Sequence, residues 1–334
     1  IWAQESVPCG RSRETTMKTY LVTGAAGFIG ARFLESLKAK GIHAVSVDRR
    51  AYFQDRTEHQ GIDSGKIVDR DELFSQLAAL PPLSAVVHLG ACANTMEMDV
   101  EYLNRVNVEY SKKIWNFCTE KQIPFVYASS AATYGEGENG YADDESQMGK
   151  LKALNPYGDS KLIFDRWVLE QKSHPPVWSG FKFFNVYGFG ERHKGPMASV
   201  ILHAYDQILK TGRVKLFRSH REGYKDGEQK RDFVAVEDVC DVLHFAIEKP
   251  IKRGIFNLGT GRAQTFLDLV NSVFSALGKK PEIDFIDTPI SIRDKYQYFT
   301  EARMEKLRAE GYAKQFLNLS EGSALYVKRL KNLS

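Results

Sequence analysis

The sequence predicts an α/β protein in which a doubly wound parallel sheet carries a smaller, sequence-interleaved α/β lobe. Three observations predict it. From Met17 onward, short β-rich runs alternate with longer amphipathic stretches, and strands separated by helices require crossovers that a parallel sheet accommodates. A glycine-rich turn joins the first strand to the first helix. After Gly188 the alternation gives way to clustered glycine, proline and charge, which marks a second unit.

Taken in order, residues 18–23, 44–48, 84–89, 124–129 and 180–186 read as strands, and residues 28–40, 100–121 and 156–172 as helices. A helical stretch runs on to Thr211, and a polar loop leads to Lys230. Strand-like segments at 232–236 and 254–258 are expected to return to the main sheet. The larger unit then spans residues 17–187 plus about 231–260, and the smaller about 188–230 plus 261–334. Residues 1–16 are polar, lack an apolar stretch and precede Met17, so they read as a disordered or expression-derived tail rather than a signal peptide.

Composition narrows the function classes. At 334 residues, with 43% apolar and 26% charged residues, the chain is long and apolar enough for two packed cores. A net charge of +4 is mild, and no basic block tracks a nucleic-acid backbone. No apolar run reaches the roughly 18 residues of a membrane span. Cys9, Cys92, Cys118 and Cys240 are far apart in sequence, so neither a metal site nor a disulfide framework is indicated. A cytoplasmic protein without nucleic-acid or membrane partners is expected.

Residues 23–30 (TGAAGFIG) carry the first chemistry. Gly24 permits a tight turn, Gly27 lets backbone approach a pyrophosphate, and Gly30 lets helix and strand pack closely. Phe28 and Ile29 open the helix whose N–H groups would meet the phosphates of a dinucleotide. Asp48, ending the second strand, is placed to accept hydrogen bonds from a ribose, which favours NAD; Arg49 and Arg50 follow at once and suit a 2′-phosphate. The cues conflict, and NADP is the reading taken, with NAD as the alternative. Leu89, Gly90, Ala91, Cys92 and Ala93 supply the small residues that pass backbone beneath the cofactor.

The second constellation is Tyr157 and Lys161, four apart on one helix face. An ammonium so placed is expected to lower the phenol's pKa from near 10, and Ser130 can hydrogen-bond the reacting hydroxyl. Together these groups can move a proton while a nicotinamide takes or returns a hydride.

The glycine-rich turn, the Ser-rich strand end and YGDSK together resemble the extended short-chain dehydrogenase/reductase family of nucleotide-sugar enzymes, over essentially all of residues 17–334. The segments YASSAATYG (127–135), FFNVYG (183–188), HKGPMASV (193–200), KRDF (230–233) and FNLGTGR (256–262) resemble its ADP-heptose 6-epimerase branch, whose product supplies the lipopolysaccharide inner core. That resemblance implies epimerisation at C6″ of ADP-D-glycero-D-manno-heptose by transient oxidation with tightly bound NADP, and a homo-oligomer. It implies that Lys194 is a second acid/base and that Asn107, Val186, Lys161 and Lys194 contact the cofactor. It implies further that Asn185, Pro196, His203, Phe217, Arg218, Ser219, His220, Arg231 and Tyr296 line the ADP-sugar site, with Arg231 as a diphosphate clamp. The sequence departs from the pattern at Pro196, where the family commonly has Ser, in the long charged loop 218–229, and over 52–66. Two other readings stand beside this one: another nucleotide-sugar epimerase, such as a UDP-hexose 4-epimerase, and a non-catalytic dinucleotide-sensing protein.

Overall fold

The computed structural model describes residues 17–249, 251–293 and 296–333; the expectation for residues 1–16 lies outside them. The strands are β1 (Thr19–Thr23), β2 (His43–Asp48), β3 (Lys66–Asp69), β4 (Ala85–His88), β5 (Phe125–Ser130), β6 (Trp178–Phe183), β7 (Asn185–Tyr187), β8 (Val214–Phe217), β9 (Lys230–Ala235), β10 (Gly254–Leu258), β11 (Ala263–Thr265) and β12 (Ile283–Ile286). Seven of them form the main sheet in the order β10-β6-β5-β4-β1-β2-β3. Every pairing in it is parallel. Such a sheet must be covered on both faces, and its central strands are accordingly apolar throughout: all four residues of β4 are buried.

Helices Phe28–Ala39 and Val236–Glu248 lie together on one face, where the Phe33 and His244 rings sit 4.8 Å apart. On the other face, Tyr110–Glu120 and Pro156–Glu170 meet through Trp115 and Trp167, ring centroids 6.0 Å apart. β1 has β2 on one side and β4 on the other, so the strand order reverses there. A crevice opens at such a reversal, beyond the carboxyl ends of the strands.

The expected strand 180–186 is two strands. β6 ends at Phe183, Phe184 donates its N–H to the Leu258 carbonyl at 3.0 Å, and β7 leaves the main sheet to pair with β9. The expected return of 232–236 to the main sheet therefore does not occur: β9 pairs with β7 and β11 in a separate three-stranded sheet. A short apolar run suits either sheet, so the pattern could not tell them apart. The expected helix 100–121 is continuous but changes pitch, with α-helix at Val100–Leu103, a π-helical stretch at Asn104–Glu109 and α-helix again from Tyr110.

A second apolar core joins Tyr187, Phe189, Ile201, Tyr205, Phe233, Val273, Phe274 and Tyr326. It is built largely by the helices Val200–Thr211, Phe266–Leu277 and Leu319–Lys331. The last two begin in reciprocal capping boxes, Thr265 with Asp268 and Asn318 with Glu321, each satisfying N–H groups that the first turn leaves open. Ala302, Met304, Leu307 and Tyr312 pack instead into the larger core, so the chain returns to the first unit near its end.

Candidate active site

The glycine-rich turn shows why it needs its glycines. Gly24 has φ +65°, and a Cβ there would fall 2.7–2.8 Å from the Gly90 and Leu89 backbone. At Gly30 a Cβ would fall 2.1 Å from the Gly24 carbonyl oxygen. The first strand, the first helix and the 89–93 segment are thus in backbone contact. Helix Phe28–Ala39 starts at Gly27 with no side-chain cap, which leaves its first N–H groups facing a cleft of about 830 Å³. The open helix end and a cradle that any side chain would fill fit a dinucleotide pyrophosphate.

Behind the 89–93 segment runs a chain of hydrogen bonds through the sheet. Gly90 N–H donates to Thr23 Oγ1 at 3.0 Å, and Thr23 Oγ1 bonds His88 Nδ1 at 2.6 Å. His88 Nε2 bonds Ser111 Oγ at 2.8 Å, and Ser111 Oγ donates to the Asn107 carbonyl at 2.7 Å. With Ser111 committed as a donor at the far end, the imidazole carries its proton on Nε2 and accepts from Thr23. Burial first, and then the Lys161 charge, push the His88 pKa down to about 3. Asn107 closes the support: its Oδ1 accepts Cys92 N–H at 2.8 Å and its Nδ2 donates to the Cys92 carbonyl and to Ser160 Oγ. Asn107 therefore stands behind the cofactor loop, outside the cleft lining, held there by the π-helical stretch.

Asp48 lines the cleft, accepting N–H bonds from Ala26 at 3.1 Å and from Arg49 at 2.9 Å. Burial pushes its pKa up, while those N–H groups and the Arg56 charge oppose the shift. Arg49 itself is exposed and points toward the Tyr52 hydroxyl, outside the lining. The cation beside Asp48 is Arg56, which donates to the Ala26 carbonyl and lies 4.3 Å from the Tyr52 ring centroid. Arg70 lines the same end. Sequence reasoning missed both: Arg56 lies in the 52–66 segment, which offers no periodic pattern, and Arg70 follows β3, a short strand that the pattern did not mark.

Ser130, Tyr157 and Lys161 line the cleft together. Asn155 caps the helix, its Oδ1 accepting Gly158 N–H at 2.8 Å, and Pro156 starts the first turn. A Cβ at Gly158 would fall 2.8 Å from Ala153 Cβ and 2.9 Å from the Ala132 carbonyl oxygen, so a glycine lets the turn after β5 close on the helix. That contact brings Ser130 to the phenol. The expected lowering of the Tyr157 pKa by Lys161 is not found. Burial pushes the phenol up, and the hydrogen bond from Ser130 is what opposes it. The ammonium instead donates to the Ala128 carbonyl at 2.9 Å, and burial brings its own pKa down to about 8 against the pull of Asp165.

Beneath this wall lies an ion pair with no solvent access. Lys182 Nζ and Asp165 Oδ2 are 2.6 Å apart. Asp165 also accepts from Ser129 Oγ at 2.6 Å and from the Tyr127 hydroxyl at 3.0 Å, while Lys182 reaches Thr133 Oγ1 at 2.7 Å. Thr133 in turn donates to the Ser130 carbonyl at 2.8 Å.

The break between β6 and β7 turns Asn185 and Val186 into the cleft, and Lys194 also lines it. Lys194 is half-buried, with Nζ 3.3 Å from Glu191 Oε2 and 5.2 Å from the Phe28 ring centroid. Arg231 is buried outside the cleft lining, to which its neighbours Phe233, Phe266 and Gln297 contribute. It donates to the Lys230 carbonyl at 2.8 Å and to the Gln297 carbonyl, and the Tyr296 and Phe266 rings flank it at 5.5 and 5.7 Å. Among the described residues no carboxylate pairs with it, and burial pushes its pKa down.

The remaining expected substrate residues lie outside the cleft lining. Phe217 meets Tyr296 edge to face at 6.1 Å. Arg218 is exposed between Asp226 and Asp287. Ser219 accepts no cleft contact; its N–H donates to Asp226 at 2.8 Å. His220 donates its N–H to the Tyr298 hydroxyl at 2.8 Å. Pro196 is exposed and His203 half-buried on its helix. Gln297 and Thr300 do line the cleft and were not singled out, since nothing in their spacing marks them.

A profile of the NAD dependent epimerase/dehydratase family matches residues 20–259. The chain belongs to this family. Within the epimerase/dehydratase family it is 44% identical over 324 residues to the ADP-L-glycero-D-manno-heptose-6-epimerase of Fusobacterium nucleatum, covering 92% of this chain and 96% of that protein. It is 42% identical over 316 residues to the enzyme of the same name from Nitratidesulfovibrio vulgaris, covering 93% and 97%. Among solved structures, the Helicobacter pylori ADP-L-glycero-D-manno-heptose-6-epimerase superposes with a TM-score of 0.79 at 25% identity, covering 94% of this chain and 96% of that one. A Thermus thermophilus UDP-glucose 4-epimerase in complex with NAD gives 0.76 at 26% identity, covering 95% and 100%. The family thus accounts for the parallel sheet and for a nicotinamide dinucleotide cofactor. Among the described residues no group of acidic, histidine or cysteine side chains could hold a metal ion, and no helix is long and apolar enough to cross a membrane.

Proposed function

We propose that the protein epimerises ADP-D-glycero-D-manno-heptose at C6″ to the L-glycero form. The observation that carries this reading is the presence of two proton-handling groups in one cleft: Tyr157, with Ser130 and Lys161, and separately Lys194, which comes from another segment of the chain. Inverting a secondary alcohol through a ketone presents opposite faces to the nicotinamide, and a second acid/base serves the epimer whose oxygen lies away from the first, a role a simple dehydrogenase does not need. A bound nicotinamide dinucleotide would supply the hydride acceptor and donor. The chain's own groups handle the proton: Ser130 orients the C6″ oxygen, Tyr157 exchanges a proton with it on one face, and Lys194 does so on the other. The high identity to relatives named for this reaction supports the substrate.

Arg231 is proposed to receive the substrate diphosphate. A buried guanidinium with no carboxylate partner among the described residues and two flanking aromatic rings is suited to an incoming anion. For the cofactor we propose NADP, supported by Arg56 and Arg70 at the Asp48 end of the cleft, where a 2′-phosphate would need cations. The deciding experiment is incubation with ADP-D-glycero-D-manno-heptose, followed by NMR at C6″. Inversion supports the proposal, and an unchanged C6″ with turnover of a UDP-hexose would replace it with a 4-epimerase reading.

A further inference from the structure

Glu191 has no solvent access, yet it is a carboxylate three residues before Lys194. A buried carboxylate is tolerated only when its oxygens are satisfied. Here Oε1 accepts from Ser199 Oγ at 2.5 Å, and Oε2 accepts from Ser199 N–H at 2.9 Å. These two bonds to one residue fix the carboxylate plane. The remaining capacity of Oε2 is directed at Lys194 Nζ, 3.3 Å away.

The backbone on either side of Glu191 is pinned as well. His59 Nε2 donates to the Gly190 carbonyl at 3.0 Å, and Arg192 N–H donates to Glu58 Oε2 at 2.7 Å. Gly195 then turns the chain with φ +54° and no neighbour within 4 Å of a Cβ, so the glycine serves the turn's conformation and not a close approach. The ammonium is consequently held between a fixed carboxylate and the Phe28 ring at the mouth of the cofactor cradle. Capping the helix that starts at Val200 would need only the Ser199 contacts; it does not require an anion facing Lys194.

We infer that Glu191 is the positioning residue for Lys194, holding its ammonium on the face of the reacting carbon opposite Tyr157. The inference rests on the epimerase reading. In the reaction, C6″ gives a hydride to the nicotinamide and its hydroxyl proton to one of the two groups, leaving a ketone. The hydride then returns to the other face of the carbon, and the other group protonates the oxygen. Each C6″ epimer therefore begins its oxidation with a different group, and only one of them begins with Lys194.

Steady-state rates mix both halves, so the test reads the first half alone. Protein loaded with oxidised cofactor is mixed with either epimer of the ADP-heptose, and reduced nicotinamide is followed in a single turnover. Lys194→Met identifies the epimer that depends on Lys194. Glu191→Gln is expected to slow that same epimer by about 10²-fold, the scale of misplacing a reacting group by an ångström, and to spare the other. Glu191→Asp, which keeps the charge on a shorter arm, is expected to slow the same epimer by a smaller factor. Equal effects of either variant on the two epimers would make Glu191 a helix brace and overturn the inference.

A second readout needs neither cofactor nor substrate. Losing the Glu191 contact should free the Lys194 amine to react, so its acylation by an amine-reactive ester should accelerate measurably. An unchanged labelling rate in Glu191→Gln would also overturn the inference. Failure of both epimers to reduce the cofactor in the unmodified protein would instead sink the epimerase reading, leaving the labelling result to judge Glu191.

Discussion

Tyr157 enters the cleft as a neutral phenol, because burial outweighs the hydrogen bond from Ser130 and Lys161 spends its proton on the Ala128 carbonyl. A group in that state is ready to donate, and it accepts only once the bound substrate and the oxidised nicotinamide change its surroundings. Tyr157→Phe should therefore leave the cleft intact and lower turnover by about 10²-fold or more, measured as the rate of C6″ inversion. Lys194→Met should keep ADP-sugar binding, read by calorimetry, while losing inversion; lost binding with normal chemistry would make the lysine a phosphate contact. The motifs were legible at this scale wherever chemistry needs a fixed spacing: the glycines of the turn, Ser130, Tyr157 and Lys161 all line one cleft, and Lys194, which only the family resemblance singled out, lines it with them. Arg56 and Gln297 were not legible, because each reaches the cleft from an irregular segment whose path only tertiary packing sets. Arg49 misled for a related reason: adjacency in sequence to Asp48 does not bring its side chain to the same side.

Elements here are held in place by contacts too tight for substitution. Gly24→Ala would add a Cβ to a left-handed residue within 2.8 Å of the Gly90 backbone. The variant should push the 89–93 segment away and lose its bound dinucleotide, measured by nicotinamide absorbance after purification. The Asp165–Lys182 pair fixes β5 and β6 to helix Pro156–Glu170 from within. Lys182→Met strands the carboxylate and should cost about 3–5 kcal/mol in denaturant unfolding. In a double-mutant cycle with Asp165→Leu, the two changes should be non-additive by about 1–3 kcal/mol. Strand and helix existence followed from periodicity, whereas partners did not. Residues 232–236 show a strand's apolar run, but the choice between the main sheet and the β7–β9–β11 sheet is made by the break at Phe184. The π-helical stretch around Asn107 was equally hidden, since one extra residue in a turn leaves the amphipathic pattern readable on both sides.

Over the whole molecule, buried imidazoles make stability depend on pH. Burial lowers the pKa of His88 to about 3 and those of His59 and His244 to about 4. An unfolded chain binds these protons near pH 6.5, and the folded protein does not until far lower. Each such group therefore contributes stability that is complete above pH 6.5 and is lost as pH falls toward the folded value, at about 1.4 kcal/mol per pH unit. Asp238, raised to about 6 by burial, acts in the opposite direction below pH 6, so the net loss is smaller than three histidines alone would give. Denaturation midpoints measured from pH 7 to 5 should fall, and His88→Asn should flatten the slope. The run from Gly90 through Thr23, His88 and Ser111 to Asn107 carries this further. Every link gives its hydrogen in the same direction, like a row of one-way valves, and a doubly protonated imidazole can no longer receive one from Thr23. A proton on His88 would thus unlatch the floor of the dinucleotide site, and because the folded protein takes that proton only near pH 3, release of the dinucleotide and melting of the sheet should coincide as acid is added.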